Sequence, residues 1–136
     1  MPPPPANRAL RLITRWERFW NTRDLDEFDA LFLAGSGLTY FSSEKQAVLR
    51  GPDAVREHHR GFGFAPGGAA TPNRLWLAVV TVDQVGRDAA VVTATWLFRR
   101  ASTPERIQRG PLTAVLVQRP AGWRIAHMAF GNWPAA

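Results

Sequence analysis

The sequence predicts an α+β fold in which helices pack as one layer on an antiparallel sheet. Residues 9–20 place their apolar side chains at the i, i+3, i+4, i+7 spacing of one helical face. Residues 73–133 then contain four long segments rich in Val, Thr, Ile and aromatic residues, separated by short turn motifs. Short connections favour a meander of antiparallel strands, and helices followed by strands pack in layers.

Three helices are predicted in the first half of the chain. The first carries a row of four arginines opposite its apolar face, which we interpret as a solvated surface. The second begins at Asp24, because Asp24 and Glu27 fit the capping-box pattern, and the third begins near Pro52, which suits a first helical turn. A strand at 38–42 lies between them and is expected to pair with residues 46–50. The side chains of the second and third helices predicted to face the interior are Phe28, Leu31, Phe32, Val55, His58, His59 and Phe62.

The last strand is predicted to be apolar on both faces. With strict alternation, its two faces are Trp123, Ile125, His127, Ala129 and Arg124, Ala126, Met128, Phe130. A sheet with one solvated face would alternate polar and apolar residues instead. We therefore expect both faces to be covered, one by the helices and the other by a second copy of the chain.

The composition indicates one globular domain. We place this domain at residues 8–136, after a proline-rich tail at 1–7 that is expected to be disordered. The net charge is +6, but the arginines are mostly scattered and accompany no nucleic-acid-binding motif, so nucleic acid is not an expected partner. No apolar run reaches the ~18 residues of a membrane span, so no membrane association is expected. The N-terminal residues do not resemble a secretory signal and the chain contains no cysteine, so we expect a cytoplasmic protein.

Three segments resemble the nuclear transport factor 2-like superfamily, and they occur in the order typical of that superfamily. They are "WNTRDLDEFDALF" at 20–32, "RGPDAVREHH" at 50–59 and "GWRIAHMAF" at 122–130. This superfamily has a cystatin-like fold and includes ketosteroid isomerases, SnoaL-like polyketide cyclases and an association domain of a calmodulin-dependent kinase. The resemblance implies a cone-shaped, curved antiparallel sheet wrapped around a long N-terminal helix. It also implies an apolar cup open at one end, and homodimers formed through the outer sheet face.

The resemblance does not extend to the catalytic groups of the ketosteroid isomerases. That chemistry needs a carboxylate base with a tyrosine and a protonated aspartate as donors. The motif matches place Ser42 at or near the position of the base, Trp16 at that of the tyrosine and Thr113 at that of the protonated aspartate. The SnoaL-like cyclases use a histidine and an aspartate, and we predict no acid on the inner side of the later strands.

His59 is the best candidate for a general base, because the resemblance places it where the isomerases have a tyrosine that leans into the cup. A neutral imidazole there could accept a proton. The alternative is a histidine at the edge of the core without a catalytic role. A metal site formed by His58, His59 and His127 is not expected, because the first two are adjacent rather than i, i+4. No cofactor is expected either, and we predict His127 to be a sheet or dimer-face residue.

The predicted ligand-binding cup is mainly aromatic. Its tryptophans either line the cup or simply fill the core, and its hydroxyl groups either orient a ligand or belong to ordinary strand residues. The predicted cup residues are Trp16, Trp20, Phe32, Tyr40, Ser42, His59, Phe62, Trp76, Trp96, Thr113, Met128 and Phe130.

Three functions remain open from the sequence. The first is binding of a small, mostly apolar molecule in the cup. The second is an isomerase, cyclase or hydratase of the SnoaL-like kind that uses a histidine as general base. The third is a non-catalytic association domain whose cup is filled by its own side chains. A pocket of about 300 Å³ or more with His59 at its wall would favour the first two, and a closed cup the third.

Overall fold

A computed structural model describes residues 5–134 of the chain, with side chains described from Asn7 onward. Pro5 to Asn7, where the sequence predicts part of a disordered tail, form the first turn of the N-terminal helix; the rest of that tail, residues 1–4, lies outside the described residues. The helices are α1 (Pro5–Thr22), α2 (Phe28–Leu31) and α3 (Pro52–Arg60), with a 3₁₀ turn at Leu25–Glu27. The strands are β1 (Thr39–Phe41), β2 (Leu49–Arg50), β3 (Arg74–Gln84), β4 (Ala89–Arg99), β5 (Ile107–Arg119) and β6 (Gly122–Phe130).

The six strands form one curved sheet in the order β2-β1-β6-β5-β4-β3. Strands β3 to β6 are the predicted antiparallel meander, and β1 pairs with β2 as an antiparallel hairpin. Strand β1 also pairs with β6, in parallel, and so brings the first half of the chain to the end of the last strand. The α+β class and the cone-like sheet around a long helix are confirmed.

The apolar face of α1 packs on the concave side of the sheet, as its spacing predicts. Each large side chain that leaves water there contributes about 1.5–3 kcal/mol to the hydrophobic stabilisation. The α1 residues buried in this core are Ala9, Leu12, Ile13, Trp16, Phe19 and Trp20. No helix within residues 5–134 is both long and apolar enough to cross a membrane.

The start of the second helical segment differs from the predicted capping box. The Asp24 carboxylate accepts a hydrogen bond from the Asp26 N–H at 3.0 Å, two residues on rather than three. Asp24 therefore caps the 3₁₀ turn, and α2 begins only at Phe28. The third helix begins as predicted, with Pro52 in its first turn.

A β-bulge in β6 overturns the predicted faces of this strand. His127 pairs with Val115 and Ile125 pairs with Leu116, so Ala126 has no partner on β5. The extra residue reverses the alternation. Trp123, Ile125, Met128 and Phe130 therefore share the inner face, and Arg124, His127 and Ala129 share the outer one. The expectation of two apolar faces rested on strict alternation, which the bulge interrupts.

Candidate functional site

A hollow enters the cone between α1, α3 and the inner side of the sheet. The free space at its centre is about 40 Å³, room for a few water molecules, and the hollow together with its open mouth measures about 430 Å³. The wall is mainly aromatic, with polar groups gathered around the mouth. The lining residues are Trp20, Tyr40, Ser42, Ser43, Glu44, His58, Phe62, Leu75, Trp96, Phe98, Arg100, Gln108 and Phe130.

Half of the predicted cup residues stand at this wall. They are Trp20, Tyr40, Ser42, Phe62, Trp96 and Phe130. Three others pack in the core behind it. Trp16 is fully buried against Phe130, with ring centroids 5.7 Å apart, and Phe32 stacks on Phe28 at 4.5 Å. Met128 is also fully buried, so these three stabilise the wall without reaching the hollow.

Trp76 and Thr113 lie on the outer face of the sheet, so their assignment to the cup is corrected. Thr113 stands between the buried residues Leu112 and Ala114, and alternation turns it outward. The Trp76 ring lies 5.9 Å from the guanidinium carbon of Arg99 on the same outer face. The position matched to the oxyanion aspartate of the isomerases therefore points away from the hollow.

His59 is also corrected: it lies in the core rather than at the wall. Its side chain is fully buried among aromatic rings, 5.3 Å from the Phe19 ring and 5.0 Å from the Phe64 ring. Nδ1 lies 2.7 Å from the Val55 carbonyl, so it carries the proton and donates it, while Nε2 has no partner among the described residues. Consecutive helical residues diverge by about 100°, and this turns His59 toward α1.

A histidine does line the hollow, but it is His58. Its ring lies 5.6 Å from the Tyr40 ring and 5.0 Å from the Phe62 ring. Burial lowers the pKa of His58, Lys45 lowers it further and Glu44 opposes this, so the imidazole is neutral near pH 7. Burial raises the pKa of Tyr40, which keeps the phenol protonated. The wall thus places a neutral proton acceptor beside a hydroxyl donor.

Asn21, in the last turn of α1, and Arg23, the first residue after it, each hold one lining residue of the hollow. The Asn21 amide donates to the Leu75 carbonyl at 2.8 Å and accepts from the Leu75 N–H at 2.9 Å. The guanidinium of Arg23, which is 4% exposed, donates to the Phe62 carbonyl at 2.9 Å and lies over the rings of Trp20 and Phe64. Leu75 and Phe62 both line the hollow, so the last turn of α1 sets the distance between them.

The segment after β6 ties the mouth together. The Trp133 N–H of this segment donates to the Arg109 carbonyl at 2.9 Å, next to the part of β5 that extends past the end of β6. The Asn132 amide accepts from Gln108 at 2.9 Å and donates to the Ser43 carbonyl at 3.1 Å. Gln108 and Ser43 both line the mouth, and Asn132 bridges them.

Trp96 is oriented by the same segment. Its Nε1–H donates to the Gly131 carbonyl at 2.9 Å. A Cβ at Gly110 would lie 1.9 Å from that carbonyl oxygen, so only glycine permits this approach. The indole is thereby held with its ring at the wall.

Three of the lining residues that sequence reasoning missed are on the strands, namely Leu75, Phe98 and Gln108. Phe98 is two residues beyond Trp96 and therefore on the same face, which is a signal that the sequence contains. Arg100, Gln108 and Ser43 reach the mouth through strand register and the C-terminal segment, which a sequence pattern does not specify. Within residues 5–134, no three His, Asp or Glu side chains are grouped closely enough to hold a metal ion.

The buried histidine predicts a specific pH dependence of stability. Burial lowers the pKa of His59 to about 3, whereas its ordinary value in an unfolded chain is 6.5. Between these values the unfolded chain binds a proton that the folded protein does not. The free energy of unfolding should therefore fall as pH decreases from 6.5 toward 3, with a contribution from His59 of about 1.4 kcal/mol per pH unit.

Urea unfolding from pH 7 to pH 4 measures this slope. His59→Leu should reduce this slope by the contribution of one bound proton. Phe64→Leu, a neighbouring core substitution without a titrating group, should lower the free energy of unfolding but keep the slope of wild type. Equal slopes in wild type and His59→Leu would contradict the assignment.

Several solved structures share the fold. A nuclear transport factor 2-like superfamily protein from Salmonella enterica is 22% identical with a TM-score of 0.76, over 96% of this chain and 92% of that one. A candidate dehydratase from Streptomyces avermitilis is 19% identical with a TM-score of 0.79, over 96% of both chains. A candidate scytalone dehydratase from Novosphingobium aromaticivorans is 18% identical with a TM-score of 0.74, over 94% of this chain and 83% of that one.

At these identities the neighbours establish the fold alone. A search of curated proteins finds no match to the sequence. A family model described as the SnoaL-like domain, however, matches residues 8–129, which include most of α1, all of α2 and α3 and nearly all of the sheet. The chain therefore belongs to the SnoaL-like domain family, and it shares its fold with a nuclear transport factor 2-like protein.

Proposed function

We propose that this domain binds a small, mostly apolar molecule in the hollow. The observation that carries the proposal is the wall itself, where aromatic rings from α1, β1, β4 and β6 surround a hollow that is open to solvent at one end. Ligand sites in proteins combine such an apolar wall with a few polar groups that set the orientation of the ligand.

The polar groups are gathered on one side of the hollow. The phenol of Tyr40 and the imidazole of His58 are neighbours there. The Ser42 hydroxyl accepts the Glu44 N–H at 3.0 Å, so its own proton remains available to donate. These groups suit a ligand with one carbonyl or hydroxyl oxygen on an otherwise apolar frame.

The central space of about 40 Å³ is smaller than the roughly 300 Å³ of a typical ligand site. Binding therefore requires the side chains at the rim to move apart. Phe62 and Phe98 are both half-buried, so each can rotate outward with less loss of core packing than a fully buried ring. The competing function is an association domain that keeps its cup closed.

Native mass spectrometry of protein purified from its own host tests the proposal. We expect a small molecule to accompany the wild-type chain. Gln108→Trp should displace it, because Gln108 lines the mouth and an indole there blocks entry. Gln118→Trp, at the other end of the same face of β5, is the matched control and should retain it. Repeated absence of any ligand from folded wild-type protein would instead favour the closed association domain.

The second candidate function is acid–base catalysis at the same wall, and the pairing of His58 with Tyr40 favours it. A neutral imidazole can remove the proton next to a carbonyl group while a phenol donates to the carbonyl oxygen. The imidazolium can then return this proton to a departing β-hydroxyl group, which leaves as water. Dehydration is also the activity in the names of two structural neighbours.

The aldol adduct of acetophenone and benzaldehyde is a suitable probe, because its dehydration yields the chromophore chalcone. The rate should fall as pH decreases through the lowered pKa of His58, since an imidazolium cannot accept a proton. His58→Asn should reduce the rate by about a hundredfold or more. His127→Asn, on the outer face, should leave it unchanged, and equal rates in the two variants would count against catalysis by His58.

We also propose that two chains pair through the outer face of the sheet. The centre of this face carries uncharged side chains, and the arginines of β4 and β5 stand toward the strand ends. The central residues are Val91, Thr93, Thr113, Val115 and Ala129. An uncharged, partly apolar patch on a sheet suits an isologous interface.

Sedimentation velocity measures the assembly. Wild type should sediment as a dimer, and Val115→Arg as a monomer, because the substitution places two like charges in the interface. Val85→Arg lies in the β3–β4 turn, outside this patch, and should remain dimeric. A monomeric wild type would overturn the proposal.

A further inference from the structure

The hollow continues into a second, wider groove beside the β4–β5 hairpin. This groove measures about 790 Å³. It shares Phe98, Arg100 and Gln108 with the wall of the hollow, so the two spaces meet at these residues. Trp133 and Ile107 add apolar surface to the groove. A molecule longer than the hollow would therefore extend into it.

The groove differs from the hollow in its charge. Arg100, Arg106 and Arg109 line it and are exposed, and Glu105 is the single acid among its lining residues. Within the described part of the chain, none of these three arginines forms an ion pair. Elsewhere, by contrast, Arg15 pairs with a carboxylate at 2.6 Å. The groove is thus a net positive site next to an apolar one.

Arg100 occupies the boundary between the two spaces. Its guanidinium carbon lies 5.1 Å from the centre of the Phe98 ring, so the ring supports the side chain from one side. A guanidinium held in this way presents its planar set of N–H donors, which matches the geometry of a carboxylate or a similar oxyanion. The hollow beside it offers aromatic surface from Trp20 and Phe130.

We propose that the bound molecule is an amphipathic anion, with its apolar part in the hollow and an oxyanion, a carboxylate in the simplest case, held by Arg100 at the groove. This inference rests on the proposed binding function and names its ligand class. Arg106 and Arg109 strengthen the positive field of the groove, and Glu105 weakens it. The anion remains at the rim, where it keeps part of its hydration, and only the apolar part loses contact with water.

Isothermal titration with naphthoate and naphthamide tests the charge requirement, because the two molecules have nearly the same shape and differ by one negative charge. Naphthoate should bind about tenfold more tightly at low salt, the size expected for an oxyanion on an accessible guanidinium. The preference should shrink as the salt concentration rises.

Arg100→Gln should remove most of the preference while the affinity for naphthamide stays as in wild type. Arg99→Gln is the matched control, since Arg99 is the adjacent arginine and also lies on an aromatic ring, but on the outer face. It should keep the full preference. Equal binding of the two molecules to wild type would overturn the anion assignment and leave the proposed cup intact. Failure of both to bind would overturn the cup, and this inference with it.

Discussion

The cup depends on how the last turn of α1 is attached to its two sides. Strand β3 is at the edge of the sheet, so one side of its backbone has no neighbouring strand. The Asn21 side-chain amide forms the two hydrogen bonds that such a strand would form with Leu75, one as donor and one as acceptor. On the other side, Arg23 holds the carbonyl of Phe62 just beyond α3. Asn21 lies in the last turn of α1, and Arg23 directly follows that turn. The separation of the walls is therefore set by the helix and not by flexible loops.

Arg23 achieves this without a carboxylate partner among its described contacts. Burial lowers its pKa from the ordinary value, which reflects the cost of removing a guanidinium from water. The rings of Trp20 and Phe64, about 5 Å from the guanidinium carbon, compensate part of this cost. Its backbone has a φ of +57°, which ends the helix at this residue and directs the chain toward the segment that Arg23 holds. One strained residue thus performs both the helix termination and the attachment.

The elements of the fold could be predicted from periodicity and turn motifs, but the orientation of several side chains could not. The bulge at Ala126 shows why. This single unpaired residue moves each later side chain of β6 to the opposite face of the sheet, and the sequence pattern does not reveal it. Trp76 stands between two leucines, so alternation alone does not decide its face, and only the register with β4 does. Thr113 is different. The pattern around it already indicates an outward side chain, and the resemblance to the isomerases misled the assignment.

The two histidines of α3 also show that the sequence does not determine the orientation of a side chain. Sequence reasoning placed His58 and His59 near one apolar face, and both are indeed largely buried. Which of them reaches the hollow depends on a rotation of about 100°, set by how α3 packs against α1 and β1. Strict alternation grouped His127 with the inward residue Ile125, but His127 lies on the outer face and contacts Thr39. Its Nδ1 lies 2.7 Å from the Thr39 hydroxyl, across the parallel pairing of β6 and β1.

Taken in order from the core to the mouth, the side chains change from apolar, to neutral polar, to charged. Phe32 and His59 are sealed in the core, Tyr40 and His58 line the wall, and Arg100 stands at the rim. A hollow this narrow and this aromatic disfavours ionised groups at its walls, which is why the wall polar groups keep their neutral forms. Among the residues that line the hollow, the charged ones, Glu44 and Arg100, lie where solvent still reaches them. The same gradient that excludes an ion from the interior therefore orients any ligand that has one polar or charged end, with this end at the mouth.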